Sequence, residues 1–200
     1  SALTNTQLGG FTSNQIKALT ADQIGALSTS QFAAFSNTQL KLFSTSQMAA
    51  VTADQMGALS ASQTAAFTAN QVKGLTTDVV AALSTTQVAN FSTTQIAAFS
   101  KNQVQALTND QLGALTTAQL KAFTATQVAN FTDDQFAALT SAQIGELTTT
   151  QIKALTSTQL AALTADQATG LTATQLSALS SKQIKNIPAD YIADLTLTQF

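Results

Sequence analysis

The sequence predicts an all-α solenoid of short helices, one helix of about six residues per octapeptide repeat, with about 3.5 repeats per superhelical turn. Three observations predict this fold. A single eight-residue period runs through all 200 residues, a helix-capping motif recurs once per period, and the charged residues occupy fixed places within it. Short repeats of this kind bury their apolar residues by stacking on their neighbours.

The period starts at Leu3, which we define as slot 1 of an octad with slots 1 to 8. Residues 3–194 contain 24 complete octads, and residues 195–200 begin a twenty-fifth. No insertion or deletion breaks the phase, so we expect one repeat array over residues 1–200. Because the chain starts at Ser1 and stops within an octad, we also expect it to be a piece of a longer protein.

Four slots of the octad have a nearly fixed character. Slot 1 is Leu, Phe, Val or Ile, and slot 6 is apolar except at Thr64. Slot 2 is Thr or Ser in 24 of 25 copies, with Pro188 as the exception, and slot 5 is Gln in 23 of 25, with Val79 and Tyr191 as exceptions. The two apolar slots are candidate core positions. The side chains of the two polar slots are candidate hydrogen-bond partners of the backbone.

Neither a strand nor one continuous helix fits this pattern. In a strand, slots 1 and 6 would point to opposite faces, because side chains alternate with period two. In a continuous helix, eight residues turn through about 800°, so the apolar stripe would rotate by about 80° in each copy. No single partner could cover such a stripe. The helix is therefore expected to restart once per octad.

The restart is predicted at slot 2, where Thr or Ser followed three residues later by Gln forms a capping box. Slots 1 and 6 are the two positions of a hydrophobic staple, so Leu19 is expected to pack on Ile24. The repeated Gln could also form a hydrogen-bonded ladder between stacked coils. The predicted caps include Thr20, Gln23, Thr76, Thr148, Gln151, Thr156 and Gln159, and the predicted core includes Leu19, Ile24, Phe67, Phe91, Phe99, Leu147 and Ile152.

Charge placement agrees with these helix limits, because acidic residues favour the first turn of a helix and basic residues the last. Seven of the nine Asp residues lie in slot 4, namely Asp22, Asp54, Asp78, Asp110, Asp134, Asp166 and Asp190. Six of the eight Lys residues lie in slot 7, namely Lys17, Lys41, Lys73, Lys121, Lys153 and Lys185.

The number of octads per turn follows from the spacing of the slot 4 Asp residues, which alternates between 32 and 24 and averages 28 residues, or 3.5 octads. One explanation is duplication of a 56-residue unit. The other is geometric, with coils that stack every 28 residues and give a rod of about 70 Å at ~10 Å per layer. The sequence leaves both open.

Composition excludes several classes of function. There is no Cys, His or Arg, only 9% of residues are charged, and the net charge is −2. Disulfides, Cys/His zinc sites and Ser-His-Asp triads are therefore impossible, and a nucleic-acid groove is not expected. No apolar run is long enough to cross a membrane. Asp133 and Asp134 lack the further ligands of a calcium loop. We expect no enzyme activity, no cofactor and no metal.

The octad L-[TS]-x-x-Q-[ILV]-x-A, as in LTTTQIKA from Leu147 and LTSTQLAA from Leu155, resembles tandem octapeptide arrays of very large bacterial exoproteins labelled as adhesion or haem-utilisation proteins. The resemblance covers the whole chain and implies a secreted or cell-surface location. Haem binding is not expected, because Met48, Met56 and Tyr191 are the only candidate axial ligands and have no His partner. The motif LTxxQ is also similar to that of periplasmic stress chaperones, which carry only a few isolated copies.

The leading functional expectation is a stiff spacer, stalk or passenger scaffold of a secreted or cell-surface protein. The alternative is a binding module that recognises a protein, glycan or surface through slots 3, 4 and 7, with ice binding as a remote variant. The octad with Pro188 and Tyr191 is interpreted as a degenerate copy or as the approach to a terminal cap, and a binding role of Tyr191 is the alternative. No specific partner is identifiable from the sequence. End-to-end self-association of open solenoid ends is possible for this fold.

Overall fold

The structure is a computed structural model that describes residues 3–193, with the backbone alone at positions 190 and 193. Over this range the chain forms short α-helices joined by turns, without a β-strand. Contacts divide the chain into two compact units, Ser1–Ala106 and Leu107–Phe200. The boundary between the units falls between two octads. That residues 1–200 form one repeat array remains a prediction.

The helices follow the octapeptide period, with one helix of four to six residues in each octad. In the first unit they are α1 (Asn5–Gly9), α2 (Ser13–Ala18), α3 (Ala21–Gly25), α4 (Thr29–Ala33), α5 (Asn37–Leu40), α6 (Thr45–Met48), α7 (Ala53–Gly57), α8 (Ala61–Ala65), α9 (Ala69–Gly74), α10 (Thr77–Ala81), α11 (Thr85–Ala89), α12 (Thr93–Ala97) and α13 (Lys101–Ala106). In the second unit they are α14 (Asn109–Gly113), α15 (Thr117–Ala122), α16 (Ala125–Ala129), α17 (Asp133–Ala137), α18 (Ser141–Glu146), α19 (Thr149–Lys153), α20 (Ser157–Ala161), α21 (Ala165–Gly170), α22 (Ala173–Ala178), α23 (Ser181–Ile184) and α24 (Ala189–Ala193).

Each corner between helices is made of extended backbone at slots 1 and 2. Leu19 has φ −60° and ψ 131°, and the following Thr20 has φ −76° and ψ 161°. No residue of the described chain has positive φ, and no described peptide bond is cis. Because any L-residue adopts these angles, a bulky Leu or Phe can occupy the corner itself. This explains why the chain turns sharply every eight residues without glycine-based turn motifs.

Within each unit, a helix packs on the helix three octads further along the chain. In the first unit α3 contacts α6, α4 contacts α7 and α6 contacts α9, and in the second unit α15 contacts α18, α16 contacts α19 and α18 contacts α21. Side-chain hydrogen bonds between coils span 28 residues. The fold is therefore an all-α solenoid. Because one superhelical turn contains about 3.5 octads, each helix lies above both a helix and a corner of the previous coil.

The close approach of α18 and α21 in the second unit depends on two glycines. A Cβ atom on Gly170 of α21 would overlap the carbonyl oxygen of Ser141 in α18, and one on Gly145 would lie 2.8 Å from the carbonyl oxygen of Gly170. Both glycines have ordinary negative φ. They are required for space between coils rather than for backbone conformation.

Candidate functional site

The repeated polar feature of the molecule is the pair formed by the slot 2 hydroxyl and the slot 5 glutamine. In α3, the backbone N–H of Thr20 donates to Gln23 Oε1 at 2.9 Å, and the backbone N–H of Gln23 donates to Thr20 Oγ1 at 3.1 Å. This reciprocal pair is a capping box, and it satisfies two backbone donors at the helix start that would otherwise lack a partner.

The same box starts the helices α19 and α20. The distance from Thr148 N to Gln151 Oε1 is 2.7 Å, and from Gln151 N to Thr148 Oγ1 it is 3.2 Å. For Thr156 and Gln159 the corresponding distances are 3.0 Å and 3.1 Å. The near-identical geometry shows that octads with the Thr/Ser and Gln pair restart their helices in the same way.

Thr76 caps α10 through one bond only. The backbone N–H of Val79 donates to Thr76 Oγ1 at 3.3 Å, and the valine side chain cannot return a hydrogen bond to the N–H of Thr76. Val79 is nonetheless buried, with 1% of its surface exposed. The substitution of Gln by Val therefore keeps the packing of slot 5 and loses half of the box.

The slot 5 glutamine has a second role, because its side-chain nitrogen bonds to the coil beneath. Gln55 Nε2 donates to the carbonyl oxygens of Ile24 and Leu27, both at 2.8 Å. These acceptors lie 31 and 28 residues earlier and occupy slots 6 and 1. One amide thus caps its own helix with the oxygen and holds the corner of the previous coil with the nitrogen.

The ladder recurs in the second unit at the predicted cap residues. Gln151 Nε2 donates to the carbonyl oxygens of Leu120 and Phe123, both at 2.8 Å. Gln159 Nε2 donates to those of Val128 and Phe131 at 2.9 and 3.1 Å. The sequence suggested such a ladder, but it did not identify the acceptors, which the superhelical geometry determines.

Burial makes these bonds important for stability. Gln151 and Gln159 expose 1% and 0% of their surface, and no buried side-chain nitrogen or oxygen in residues 3–193 lacks a hydrogen-bond partner. A buried polar group left without a partner costs about 1–3 kcal/mol. The buried slot 5 glutamines are Gln39, Gln47, Gln55, Gln71, Gln87, Gln95, Gln103, Gln111, Gln119, Gln127, Gln135, Gln143, Gln151, Gln159, Gln167 and Gln175.

The apolar residues proposed as core line the inside of the coils. The exposed fraction is 0% at Ile24 and Ile152, 3% at Phe91 and Leu147, and 4% at Phe67 and Phe99. The rings of Phe91 and Phe99, in slot 1 of consecutive octads, have centroids 5.9 Å apart at an angle of 62°. Edge-to-face pairs of this kind are favourable beyond the area they bury.

Leu19 differs from the other proposed core residues because it is only half-buried. It belongs to the first coil of the first unit, where the structure describes no coil beneath it. Slot 1 is buried in every octad from Phe35 to Leu171, where a full coil lies below. Burial of slot 1 therefore depends on the coil below as well as on the residue type.

Thr64 is the one polar residue in slot 6 of the described octads, and it lies inside the core with 0% exposure. Its Oγ1 donates to the carbonyl oxygen of Ser60 at 3.1 Å and accepts from Gln87 Nε2 at 3.2 Å. The hydroxyl is thus fully used between two coils. Sequence reasoning singled out this exception without finding its partner, which lies 23 residues away.

Over the part of the chain that the structure describes, the surface has no cluster of metal-ligating side chains. No three His, Cys, Asp or Glu residues lie close enough to hold a metal ion there, and none of the helices is long and apolar enough to cross a membrane. Asp133 and Asp134 are exposed at the start of α17. Tyr191 is half-buried, and its backbone N–H donates to the carbonyl oxygen of Pro188 at 3.1 Å.

A cleft of about 520 Å³ in the second unit is lined by Lys153, Thr156, Ser157, Ser180, Lys182 and Gln183. Lys121 and Glu146 form an exposed ion pair at 2.8 Å, of a kind that contributes little to stability. The hydrogen bonds that recur from octad to octad lie within the scaffold itself.

Comparison with known proteins gives one finding. A sequence model of the ALTTAQ repeat matches residues 1–29, 80–117 and 112–149, just under half of the chain. The six letters occur unchanged at Ala114–Gln119, which span slot 8 to slot 5 and so contain one corner and one capping box. Over these segments the chain is similar to tandem ALTTAQ repeats. No curated protein matches the chain.

Proposed function

We propose that this chain is a non-catalytic structural repeat segment, a stiff spacer or passenger scaffold of a secreted or cell-surface protein. One observation carries the proposal. The repeated hydroxyl and amide groups are used for capping and, above the first coil, for bonding between coils, as in Gln151, which bonds to Thr148, Leu120 and Phe123. The residues that recur are those that build the scaffold.

The variable residues support the same proposal. Slots 3 and 4 are exposed in α20, at Ser157 and Thr158, and across the octads they change mostly among Thr, Ser, Ala, Asn and Asp. A binding face usually includes a cluster of aromatic or charged anchors. The scaffold instead holds its aromatic residues, such as Phe91 and Phe99, in the core. The secreted or cell-surface setting rests on the resemblance of the octad to bacterial exoprotein repeats.

The experiment that tests this function exchanges the outer face while keeping the scaffold. In the protein that carries the chain, slots 3 and 4 are shuffled among octads, with slots 1, 2, 5 and 6 unchanged. A spacer retains the adhesion or display function of the whole protein after this change. Loss of function with an unchanged circular dichroism spectrum would instead support the alternative, a binding module that uses the outer face.

A second replacement controls for length. The chain is exchanged for an unrelated helical solenoid of equal length, so that every surface residue changes while the separation of its neighbours is kept. For a spacer, the function returns with the unrelated solenoid and falls when seven octads, residues 67–122, are deleted in phase. Failure of the unrelated solenoid to restore function would contradict the spacer role.

A further inference from the structure

One groove on the side of the second unit contains two lysines and no acidic residue. The cleft of about 520 Å³ described above lies between the corner at residues 153–157 and the helix start at residues 180–183 in the coil above. Lys153 and Lys182 both line this cleft, and both side chains are exposed. None of the described residues that line it is Asp or Glu, and within residues 3–193 neither lysine forms an ion pair.

The glutamine ladder fixes the two sides of this groove relative to each other. Gln183 follows Lys182 in the chain, and its Nε2 donates to the carbonyl oxygens of Lys153 and Leu155, both at 3.2 Å. Its Oε1 accepts from the backbone N–H of Ser180 at 3.0 Å, as in the other capping boxes. Because one side chain holds both backbones, the coils cannot slide apart to separate the two positive charges.

A hydroxyl group adds a further donor to the groove. Ser157 lines the cleft with an exposed side chain, and over the described residues its hydroxyl has no hydrogen-bond partner. Each lysine ammonium group offers three N–H donors and no acceptor. The groove therefore combines positive charge with donors from both coils, which is the chemistry that an oxygen-rich anion requires.

An equivalent groove lies two octads earlier in the chain, and its charge is different. It has a volume of about 440 Å³, and Ala137 and Asp166 occupy the positions that correspond to Lys153 and Lys182. Hydroxyl residues line both grooves at the same slots. The groove itself is therefore a product of coil stacking, and the lysine pair is what distinguishes this copy. Across the whole sequence, slot 4 is a lysine only at Lys182.

We infer that the groove lined by Lys153, Ser157 and Lys182, here called the phosphate groove, binds a phosphate group, either free or as a monoester. Phosphate carries about two negative charges at neutral pH, which match the two ammonium groups. Lysine binds phosphate as a point charge, so the site does not require the planar geometry of an arginine. The inference goes beyond the proposed spacer function and does not depend on it, because a scaffold can bind a ligand on its side.

The test is a titration of the isotope-labelled whole chain with sodium phosphate at about pH 7.5 and low salt, followed by NMR. The amide signals of Ser157, Ser180 and Lys182 are expected to shift along one saturating curve, with a Kd of about 1–10 mM. Those of Ser141 and Asp166 in the equivalent groove should stay in place. Absence of saturable shifts at the three amides, or equal shifts in both grooves, overturns the inference.

Two further comparisons identify the ligand chemistry. Glycerol phosphate should shift the same amides, and tighter binding of it than of inorganic phosphate would identify the monoester as the bound form, while the reverse would identify the free ion. Binding of neutral glycerol with equal affinity overturns the inference. Lowering the pH to about 5 removes one phosphate charge and should weaken phosphate binding at least three-fold, without weakening the binding of sulfate, which stays doubly charged. An equal loss for both ions would contradict charge matching.

Paired substitutions separate the groove from general charge attraction. Lys153→Gln with Lys182→Gln is expected to lower the phosphate affinity at least ten-fold. The matched control, Lys17→Gln with Lys73→Gln, makes the same change in net charge at two exposed slot 7 lysines of the first unit and should bind like the unchanged chain. Circular dichroism confirms that both variants are folded. Equal losses in the two variants overturn the inference.

The equivalent groove allows the converse experiment. Ala137→Lys with Asp166→Lys places two lysines at exposed positions that correspond to those of the phosphate groove. This variant is expected to bind a second phosphate, so that the amide signals of Ser141 and Thr164 now shift at the same concentrations. A folded variant that gains no second site would contradict the assignment of binding to the lysine pair.

Discussion

The side-chain nitrogen of Gln151 lies 2.8 Å from the carbonyl oxygen of Phe123, 28 residues earlier in the chain. The same side chain accepts a hydrogen bond from the backbone N–H of Thr148 at 2.7 Å through its oxygen. One amide therefore both starts a helix and binds it to the coil below. An eight-residue unit is too short to form a stable helix alone. The two hydrogen-bonding roles of the glutamine amide make this unit part of a stable stack.

The two roles of glutamine can be separated by comparing two coils. Gln151→Ala removes a buried amide and leaves the N–H of Thr148 and the carbonyl oxygen of Phe123 without these partners, whereas the carbonyl oxygen of Leu120 keeps the backbone N–H of Phe123. The change should lower the free energy of unfolding by about 2–4 kcal/mol. Gln15→Ala removes only a capping box on the exposed first coil and should cost about 1 kcal/mol. Urea unfolding measures both. Thr150→Ala, in exposed slot 4, is the control, and equal losses at Gln151 and Gln15 would contradict the ladder.

Restoring the missing glutamine at Val79 should stabilise the chain. Val79→Gln adds an acceptor for the N–H of Thr76 and places a donor beside the carbonyl oxygens of slots 6 and 1 in the coil below, at Met48 and Val51. An increase of about 1 kcal/mol in the free energy of unfolding is expected. Thermal unfolding followed by circular dichroism measures the change. A lower midpoint than that of the unchanged chain would mean that this coil cannot accommodate the box.

The buried hydroxyl of Thr64 is expected to be dispensable. Thr64→Val keeps the shape of the side chain, and Gln87 retains the carbonyl oxygens of Met56 and Leu59 at 2.9 and 3.0 Å as acceptors. Because no partner is left unsatisfied, the variant should be more stable by about 1 kcal/mol. Thr64→Ala leaves a cavity and should be less stable by about 1 kcal/mol or more. A destabilised valine variant would show that the hydroxyl bond contributes net stability.

Glycine is required where coils approach most closely, and this requirement can be measured at Gly170. Gly170→Ala places a methyl group on the carbonyl oxygen of Ser141 and should cost about 1–3 kcal/mol. Gly113→Ala has open space around its Cβ atom and, at the end of α14, should gain about 0.5 kcal/mol. Both changes lie in the second unit. Equal effects of the two substitutions in urea unfolding would contradict the close approach of α18 and α21.

The sequence alone predicts the helix restart, because the groups involved lie three residues apart. Thr20 and Gln23 are recognisable as a capping box without any tertiary information. The ladder acceptors of Gln55 could not be assigned in this way, since Ile24 and Leu27 are brought near only by the pitch of the superhelix. The average Asp spacing of 28 residues suggested that pitch but was also compatible with duplication of a 56-residue unit, and both can hold.

Other features depend on the position of a coil in the stack and have no local signal. Leu19 has the same residue type and slot as Leu147, yet it is half-buried while Leu147 exposes 3% of its surface. The contact between Gly170 and Ser141 likewise depends on the separation of two coils. A repeat motif describes an average octad, so it cannot distinguish an end coil from an inner one.

The most direct test of the stacked octads is a distance between two exposed slot 4 residues on contacting helices, Thr126 of α16 and Thr150 of α19. The chain has no cysteine, so Thr126→Cys and Thr150→Cys allow specific spin labelling at both sites. Stacked coils place the labels about 10–20 Å apart, close to the spacing of packed helices. A separation of about 36 Å, the length of 24 residues in one continuous helix, would contradict a restart in each octad.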